Sequence, residues 1–321
     1  MCAPTLLRMV TLKDAAGDAD VHIGAAVDPE ALRTNTDYRE ALRNEFNALT
    51  AENAMKWGRL AEEEGAYDFS NADDIANFGA ANDMYVRGHT LVWHRMFPQW
   101  LRPWDHTPEQ IEKTMREHVY TVAGRYNGRV DAWDVVNEAV SDEGGLRENQ
   151  WYNALGEEYL DKAFEYADDV CDADLFYNDY GADGMNEKSD DVYELVEGMV
   201  SRDVPIDGVG LQMHVFGEKT DPDEVAENVE RLTDLGLDVH LTELDVGIGA
   251  AVEDEDEQTE YYRELVSKAV DAGVSTIITW GLNDGQSWLP ARGHGEAPLL
   301  FNDEFDRKPA GDAVVEAFQE Q

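Results

Sequence analysis

A chain of 321 residues with 69 Asp and Glu against 25 Lys and Arg carries a net charge of −44. Partners that need a basic surface to release counterions, nucleic acid and anionic lipid, are therefore disfavoured. Eight Trp, 13 Tyr and 10 Phe exclude a disordered acidic chain, which lacks such residues to bury.

The acidic residues are spread over every predicted helix and not gathered in one tail. The reading that remains is adaptation to high salt, where the screening length shortens to roughly 3 Å at 1 M and self-repulsion is tolerated.

The start, Met1 to Val10, shows no sustained apolar stretch preceded by a basic segment. It does not read as a signal peptide, and no run of about 18 apolar residues follows anywhere. The expectation is a soluble protein, secreted with its leader outside this sequence, with the cytoplasm as the alternative. Residues 1–19 are expected to form an N-terminal tail and residues 20–321 one domain. Of the two cysteines, Cys2 falls in that tail and Cys171 just before a predicted strand. No structural disulfide is expected, and Cys171 reads as a small buried hydrophobe.

Short apolar runs then alternate with longer amphipathic segments, the signature of parallel strands joined by crossover helices. The predicted strands are Val21–Val27, Phe46–Thr50, Tyr85–Val92, Val130–Asn137, Asp174–Tyr180, Gly208–Met213, Asp238–Leu244 and Val274–Gly281. Helices are predicted near 36–45, 70–82, 107–126, 151–170, 186–202, 222–235, 257–272 and 309–319. Thr107-Pro108-Glu109-Gln110 supplies an N-cap, a proline at the first helical position and a capping-box partner, and Asp221-Pro222-Asp223-Glu224 repeats the scheme. Gly236 and Gly273 stand where helices should stop. The count is eight strands and eight helices, the pattern of an α/β protein with a (β/α)8 barrel.

Residues too polar for a core collect at the C-terminal end of almost every predicted strand, and in a barrel such residues form one ring on one face. Glu138 closes Trp-Asp-Val-Val-Asn-Glu (133–138) and Glu243 lies in Leu-Thr-Glu-Leu-Asp-Val (241–246). Each follows or ends a strand-like apolar run. Hydrolysis of a glycosidic bond with retention needs two carboxyl groups facing each other across one sugar, one neutral and one ionised. The two glutamates are 105 positions apart in the chain, so only a fold that gathers distant strand ends could pair them.

The motifs Glu-Asn-Ala-Met-Lys-Trp (52–57), Arg-Gly-His-Thr-Leu-Val-Trp-His (87–94), Trp-Asp-Val-Val-Asn-Glu-Ala (133–139), Asn-Asp-Tyr (178–180), Gly-Leu-Gln-Met-His (210–214), Thr-Glu-Leu-Asp (242–245) and Pro-Leu-Leu-Phe (298–301) occur in this order. In wording and order the chain resembles the endo-β-1,4-xylanases of glycoside hydrolase family 10, from about Ile23 to Pro309. That resemblance implies a (β/α)8 barrel and a retaining endo-β-1,4-xylanase acting on xylan or xylo-oligosaccharides.

It also implies roles for single residues. Glu138 corresponds to the acid/base, which must hold its proton at neutral pH, a state favoured by apolar surroundings and a neighbouring negative charge. Glu243 corresponds to the nucleophile, which must stay ionised, with His214 as the donor that keeps it so. Asn137 is expected on the sugar 2-hydroxyl, where hydrogen bonding strengthens in the transition state. His89, Gln212 and His214 are expected to wall the subsite beside the cleaved bond, with Trp93 in the same wall. Glu52, Asn53 and Lys56 would grip the non-reducing-side xylose, and Trp280 and Trp288 would give the aromatic faces on which apolar pyranose faces stack. Tyr180 is expected on the leaving-group side, and Trp57, Trp133 and Trp151 in the core or scaffold.

In one place the chain departs from the family. Met96 stands where a polar sugar-binding amide is expected, which affects one non-reducing-side contact and leaves the carboxylate pair untouched. No metal or other cofactor is expected. His89, His94 and His214 lack the close paired spacing of a zinc motif, and two glutamates account for hydrolysis. The partner is the carbohydrate, with no nucleic acid and no membrane, and the protein is expected to act as a monomer. The nearest rivals are a related retaining β-glycanase or cellobiosidase, an intracellular enzyme specific for xylo-oligosaccharides, and a non-catalytic binding or inhibitor protein on the same barrel, which typically lacks one carboxylate.

Overall fold

In the computed structural model, which describes residues 10–321, the strands run β1 (His22–Val27), β2 (Ala48–Ala51), β3 (Tyr85–Trp93), β4 (Ala132–Asn137), β5 (Asp174–Asp179), β6 (Gly208–Leu211), β7 (His214–Val215), β8 (Asp238–Val246) and β9 (Thr276–Thr279). Each of β1 to β5 pairs in parallel with the next; β6 then pairs with β8, β8 with β9, and β9 returns to β1. Eight strands thus close a parallel barrel, and β7 is a two-residue extension beside the far end of β8. Closure leaves the barrel no edge to be covered. Helices occupy the connections between strands, which makes the architecture a (β/α)8 barrel.

The strands are buried on both faces, as β2 (Ala-Leu-Thr-Ala) and β4 (Ala-Trp-Asp-Val-Val-Asn) show along their whole lengths. This is why they read as nearly continuous apolar runs and not as alternating ones. The polar residues inside the barrel need partners there. Gly210 makes room for two of them, since a Cβ at that position would collide with the Asn178 amide and the Arg87 guanidinium.

Thr107 and Gln110 form the expected capping box, with Pro108 opening the helix Pro108–Tyr126. Asp221 caps Pro222–Thr233, and Gly273 ends Glu255–Ala272 with φ 113°. Trp57, Trp133 and Trp151 are buried in the core, Trp57 stacked on His118 at 3.8 Å between ring centroids.

The structure departs from the sequence expectations in several places. The expected tail through residue 19 instead contains a helix, Leu12–Asp18, capped by Thr11. Leu12, Ala15 and Ala16 recur at helical spacing and are fully buried, and Arg307 donates to the Val10 carbonyl at 2.9 Å. A short apolar stripe of small residues was enough to dock this segment. The expectations for residues 1–9, Cys2 among them, lie outside the described residues; Cys171 is buried with a free thiol. The helix expected over 151–170 is two, Gln150–Leu155 and Glu158–Asp168, because Gly156 turns the chain with φ 67°. The sixth strand stops at Leu211, since Met213 is left-handed with φ 61°. Gly236 lies beyond its helix, which ends at Thr233.

Candidate active site

The C-terminal strand ends bring Glu138 and Glu243 into one buried hydrogen-bond chain. Glu138 follows β4 directly, and its N–H donates to the Asn178 carbonyl on β5 at 2.8 Å. Glu243 lies within β8, and its N–H donates to the Gln212 carbonyl at 2.9 Å. Only 6% of Glu138 and 4% of Glu243 is exposed, low for ionisable residues. The Asn178 side-chain NH2 donates to Glu243 Oε1 at 2.9 Å and to Asn137 Oδ1 at 2.8 Å. Asn137 in turn donates to Glu138 Oε1 at 3.3 Å. Gln212 Nε2 lies 3.4 Å from both Asn137 Oδ1 and Glu138 Oε1. Thr242 donates to Asn178 Oδ1 at 2.6 Å, which fixes which end of that amide faces the carboxylates.

The two carboxyl groups differ in surroundings. Glu243 accepts from Asn178 on one oxygen and faces His214 Nε2 at 3.2 Å on the other. The Oε2 atom of Glu138 has no hydrogen-bond partner among the described residues, and His94 Nε2 lies 3.9 Å away. Burial pushes the Glu243 carboxyl up, but the His214 hydrogen bond and the charges of His89, His214 and Lys56 outweigh it. The net result lies below the ordinary carboxylate value.

His214 bridges two acids, because Glu243 and Asp245 alternate onto the same face of β8. Its Nδ1 lies 3.0 Å from Asp245 Oδ1. Burial pushes His214 down, yet the Asp245 charge and the hydrogen bonds to Asp245 and Glu243 carry it up to about 10. At neutral pH the ring is therefore a cation that holds Glu243 ionised. Trp288 Nε1 donates to the other Asp245 oxygen at 2.9 Å and meets the His214 ring edge-on at 5.1 Å.

A second column rises through the barrel. His89 Nδ1 lies 2.8 Å from Asp134 Oδ2, and Asp134 is paired with the buried Arg87 guanidinium. Burial pushes Asp134 up, but Arg87 and His89 hold it below the usual carboxylate value. Arg87 Nη1 approaches His240 Nδ1 at 2.7 Å. A guanidinium only donates, so His240 Nδ1 accepts and the ring is neutral, in line with burial lowering it to about 4.

On the other flank, Lys56 Nζ donates to Asn53 Oδ1 at 2.9 Å, and Asn53 Nδ2 donates to Glu52 Oε1 at 2.8 Å. The Lys56 ammonium lies 5.1 Å from the Trp93 ring centroid and 5.6 Å from that of Trp280. Burial lowers its pKa against the opposing charges of Glu243, Glu52 and Glu138. Burial raises that of Glu52. Trp280 stands edge-on to His89 at 5.3 Å. Tyr180 donates to Asp142 Oδ2 at 2.6 Å, with Lys188 Nζ 3.4 Å from its ring centroid.

One contact network joins Glu138, Glu243, Glu52, Asn53, Lys56, His89, Trp93, Asn137, Gln212, His214, Trp280 and Trp288, and Tyr180 is tied to it through Arg147, which donates to the Tyr180 hydroxyl and to the Glu138 carbonyl. Chemically, such a network can present one carboxylate as a nucleophile while the other carries a proton. Met96 adopts a left-handed backbone (φ 50°), and its carbonyl accepts from the Gly58 N–H. Its half-buried thioether brings no amide donor to that position.

Sequence reasoning gave no role to Asn178, Asp134, Arg87, Asp245, His94 or Arg147. Asp245 carried a usable signal, two positions after Glu243 in a buried strand, and so did Asp134, a charge inside an apolar run. Arg147 carried none, because it lies in a loop whose course only the fold reveals.

The model of glycosyl hydrolase family 10 matches residues 11–317. The chain is 38% identical to endo-1,4-beta-xylanase B of Thermotoga neapolitana, over 97% of this chain and 92% of that protein. It is 37% identical to endo-1,4-beta-xylanase C of Paenibacillus barcinonensis over 92% of this chain, but spans 30% of that longer protein. The crystal structure of xylanase 10B from Thermotoga petrophila RKU-1 in complex with xylobiose is similar with a TM-score of 0.92 at 37% identity, covering 97% of this chain and 98% of that one. With its closed barrel and paired carboxylates, the chain belongs to glycosyl hydrolase family 10.

Proposed function

We infer that the protein is a retaining endo-β-1,4-xylanase that cuts internal bonds of xylan by double displacement. The observation that carries this reading is the pair of buried glutamates, linked through Asn137 and Asn178, with His214 Nε2 3.2 Å from Glu243 and one Glu138 oxygen left without a partner among the described residues.

In the first step Glu243 attacks the anomeric carbon while Glu138 gives its proton to the departing glycosidic oxygen. The C–O bond breaks and a glycosyl ester forms on Glu243. In the second step Glu138, now ionised, takes a proton from water as the water oxygen attacks the same carbon and releases Glu243. Two inversions leave the configuration unchanged. Asn137 holds the 2-hydroxyl; His89, Gln212, His214 and Trp93 line the sugar beside the cleaved bond; Glu52, Asn53 and Lys56 bind the next sugar on the non-reducing side. Trp280 and Trp288 offer ring faces, and Tyr180 meets the leaving portion. The xylobiose complex of the Thermotoga petrophila enzyme supports a xylo-oligosaccharide as the occupant of this site.

On soluble xylan, a ladder of xylo-oligosaccharides is expected from the first minutes, with carboxymethyl-cellulose cut far more slowly. A preference for cellulose, or turnover confined to xylotriose and similar short chains, would overturn the endo-xylanase reading.

We place the catalytic unit from Leu12 onward and take it to act alone, because like charge on every surface opposes self-association. The polymeric substrate favours work outside the cell; among the described residues no helix is long and apolar enough to cross a membrane. The net charge of −44 supports a salt-rich setting. The melting temperature should rise on the order of 10 °C between about 0.1 M and about 3 M NaCl as self-repulsion is screened. A melting temperature indifferent to salt would refute the adaptation.

A further inference from the structure

Glu138 itself is left-handed, with φ 58°, a conformation L residues seldom adopt unless their surroundings enforce it. Each backbone group around it is held. Its N–H is taken by the Asn178 carbonyl at 2.8 Å. The next two N–H groups, of Ala139 and Val140, donate to the Tyr177 hydroxyl at 3.0 and 3.1 Å, and Val140 also reaches Asp179 Oδ2 at 3.2 Å. Two of the carbonyls are held by one side chain. Arg147 Nε donates to the Glu138 carbonyl at 3.2 Å, and its Nη2 donates to the Val140 carbonyl at 3.0 Å. The same Nη2 donates to the Tyr180 hydroxyl at 3.1 Å, while the Arg147 N–H donates to the Ala139 carbonyl at 2.7 Å. Among the described residues no other charged side chain hydrogen-bonds to the Glu138 main chain.

We propose that Arg147 is a positioning residue for proton transfer. Its fork fixes the turn that aims the Glu138 carboxyl and ties that turn to Tyr180 on the leaving-group side. The inference rests on the reading of Glu138 as proton donor. Two features favour this role over general scaffolding. The guanidinium makes its carbonyl contacts at the acid itself and two residues beyond, and its third contact goes to a residue proposed to meet the leaving portion. Its planar, multiply donating shape suits two carbonyls and a hydroxyl at once, which a lysine ammonium on a flexible stem cannot fix to the same degree.

The role separates from a structural one by the leaving group. An aryl β-xylobioside with a 2,4-dinitrophenol leaving group departs without a proton, whereas the phenyl analogue needs one. Arg147→Ala and Arg147→Lys should each lower kcat/KM for the phenyl substrate, by about 10- to 100-fold for Ala, a fraction of what general acid catalysis supplies. The dinitrophenyl substrate should change by less than about threefold, and Lys should recover part of the loss. Equal losses on both substrates in variants that melt like the wild type, or no loss on either, would overturn the proposal. If Arg147→Ala fails to fold, the same comparison is read from Arg147→Lys. Glu138→Gln is the separate control: it should show the same selectivity more strongly. If it does not, the assignment of the proton donor fails, independently of Arg147.

Discussion

Glu243→Ala is expected to lower kcat/KM on xylan by at least about 10⁴-fold, a loss of about 5 kcal/mol of transition-state stabilisation. The size follows from what is removed. In the proposed scheme no glycosyl ester can form without this carboxylate, and His214, although still 3.0 Å from Asp245, loses the anion that it faces beside the anomeric carbon. Loss of the side chain also opens a space on the face of the sugar that Glu243 occupied. Azide should enter there and react in a single displacement, giving an α-xylobiosyl azide from an activated aryl xylobioside. Loss of activity without rescue, in a variant that keeps its melting temperature and binds xylo-oligosaccharide, would argue for a different nucleophile.

Glu138→Ala should cost about 10²- to 10⁴-fold on xylan, where the leaving sugar oxygen is a strong base and must be protonated as it departs. With a dinitrophenyl leaving group the first step needs no acid, so the glycosyl-enzyme forms at close to the wild-type rate. Its hydrolysis then lacks a base, the intermediate accumulates, and KM falls together with kcat. Azide needs no base; it should restore turnover and give a β-xylobiosyl azide, the opposite anomer to that from Glu243→Ala. Azide products of one configuration from both variants would contradict the division of roles. The structure motivates the division through environment: Glu243 faces Asn178 and His214, while one Glu138 oxygen has no partner among the described residues.

The sequence displayed the barrel because the parallel strands, buried on both faces, read as separate apolar runs with helices between. Strand ends were less legible. Phe46 and Val130 are apolar and buried but precede their strands, so hydrophobicity alone did not distinguish them from strand residues. Met213 and Gly156 show where a single left-handed residue breaks an element that composition would continue. The Leu12–Asp18 helix was missed because a stripe of one leucine and two alanines is too weak a signal without the surface it packs on.

In the site, the residues that meet the sugar in the proposed scheme stood out at strand ends, where polar side chains are costly unless used. The residues that hold them were hidden. Asn178 joins the two glutamates only because β4, β5 and β8 lie near one another, and Arg87, Asp134 and His89 form a column only once their strands are in register. Arg147 depends on the path of the loop from Glu138 back to the helix at Gln150. Such contacts are long-range in sequence, and no local pattern encodes them.

The proposed scheme turns on Glu243 bonding covalently to the sugar before water does. Proton NMR of a xylo-oligosaccharide digest, recorded within the first minutes and before mutarotation, reads this directly. The new reducing ends should appear first as the β-anomer, with the α-anomer growing in only later. Reducing ends that appear first as the α-anomer would mean a single displacement by water, and would contradict a covalent role for Glu243.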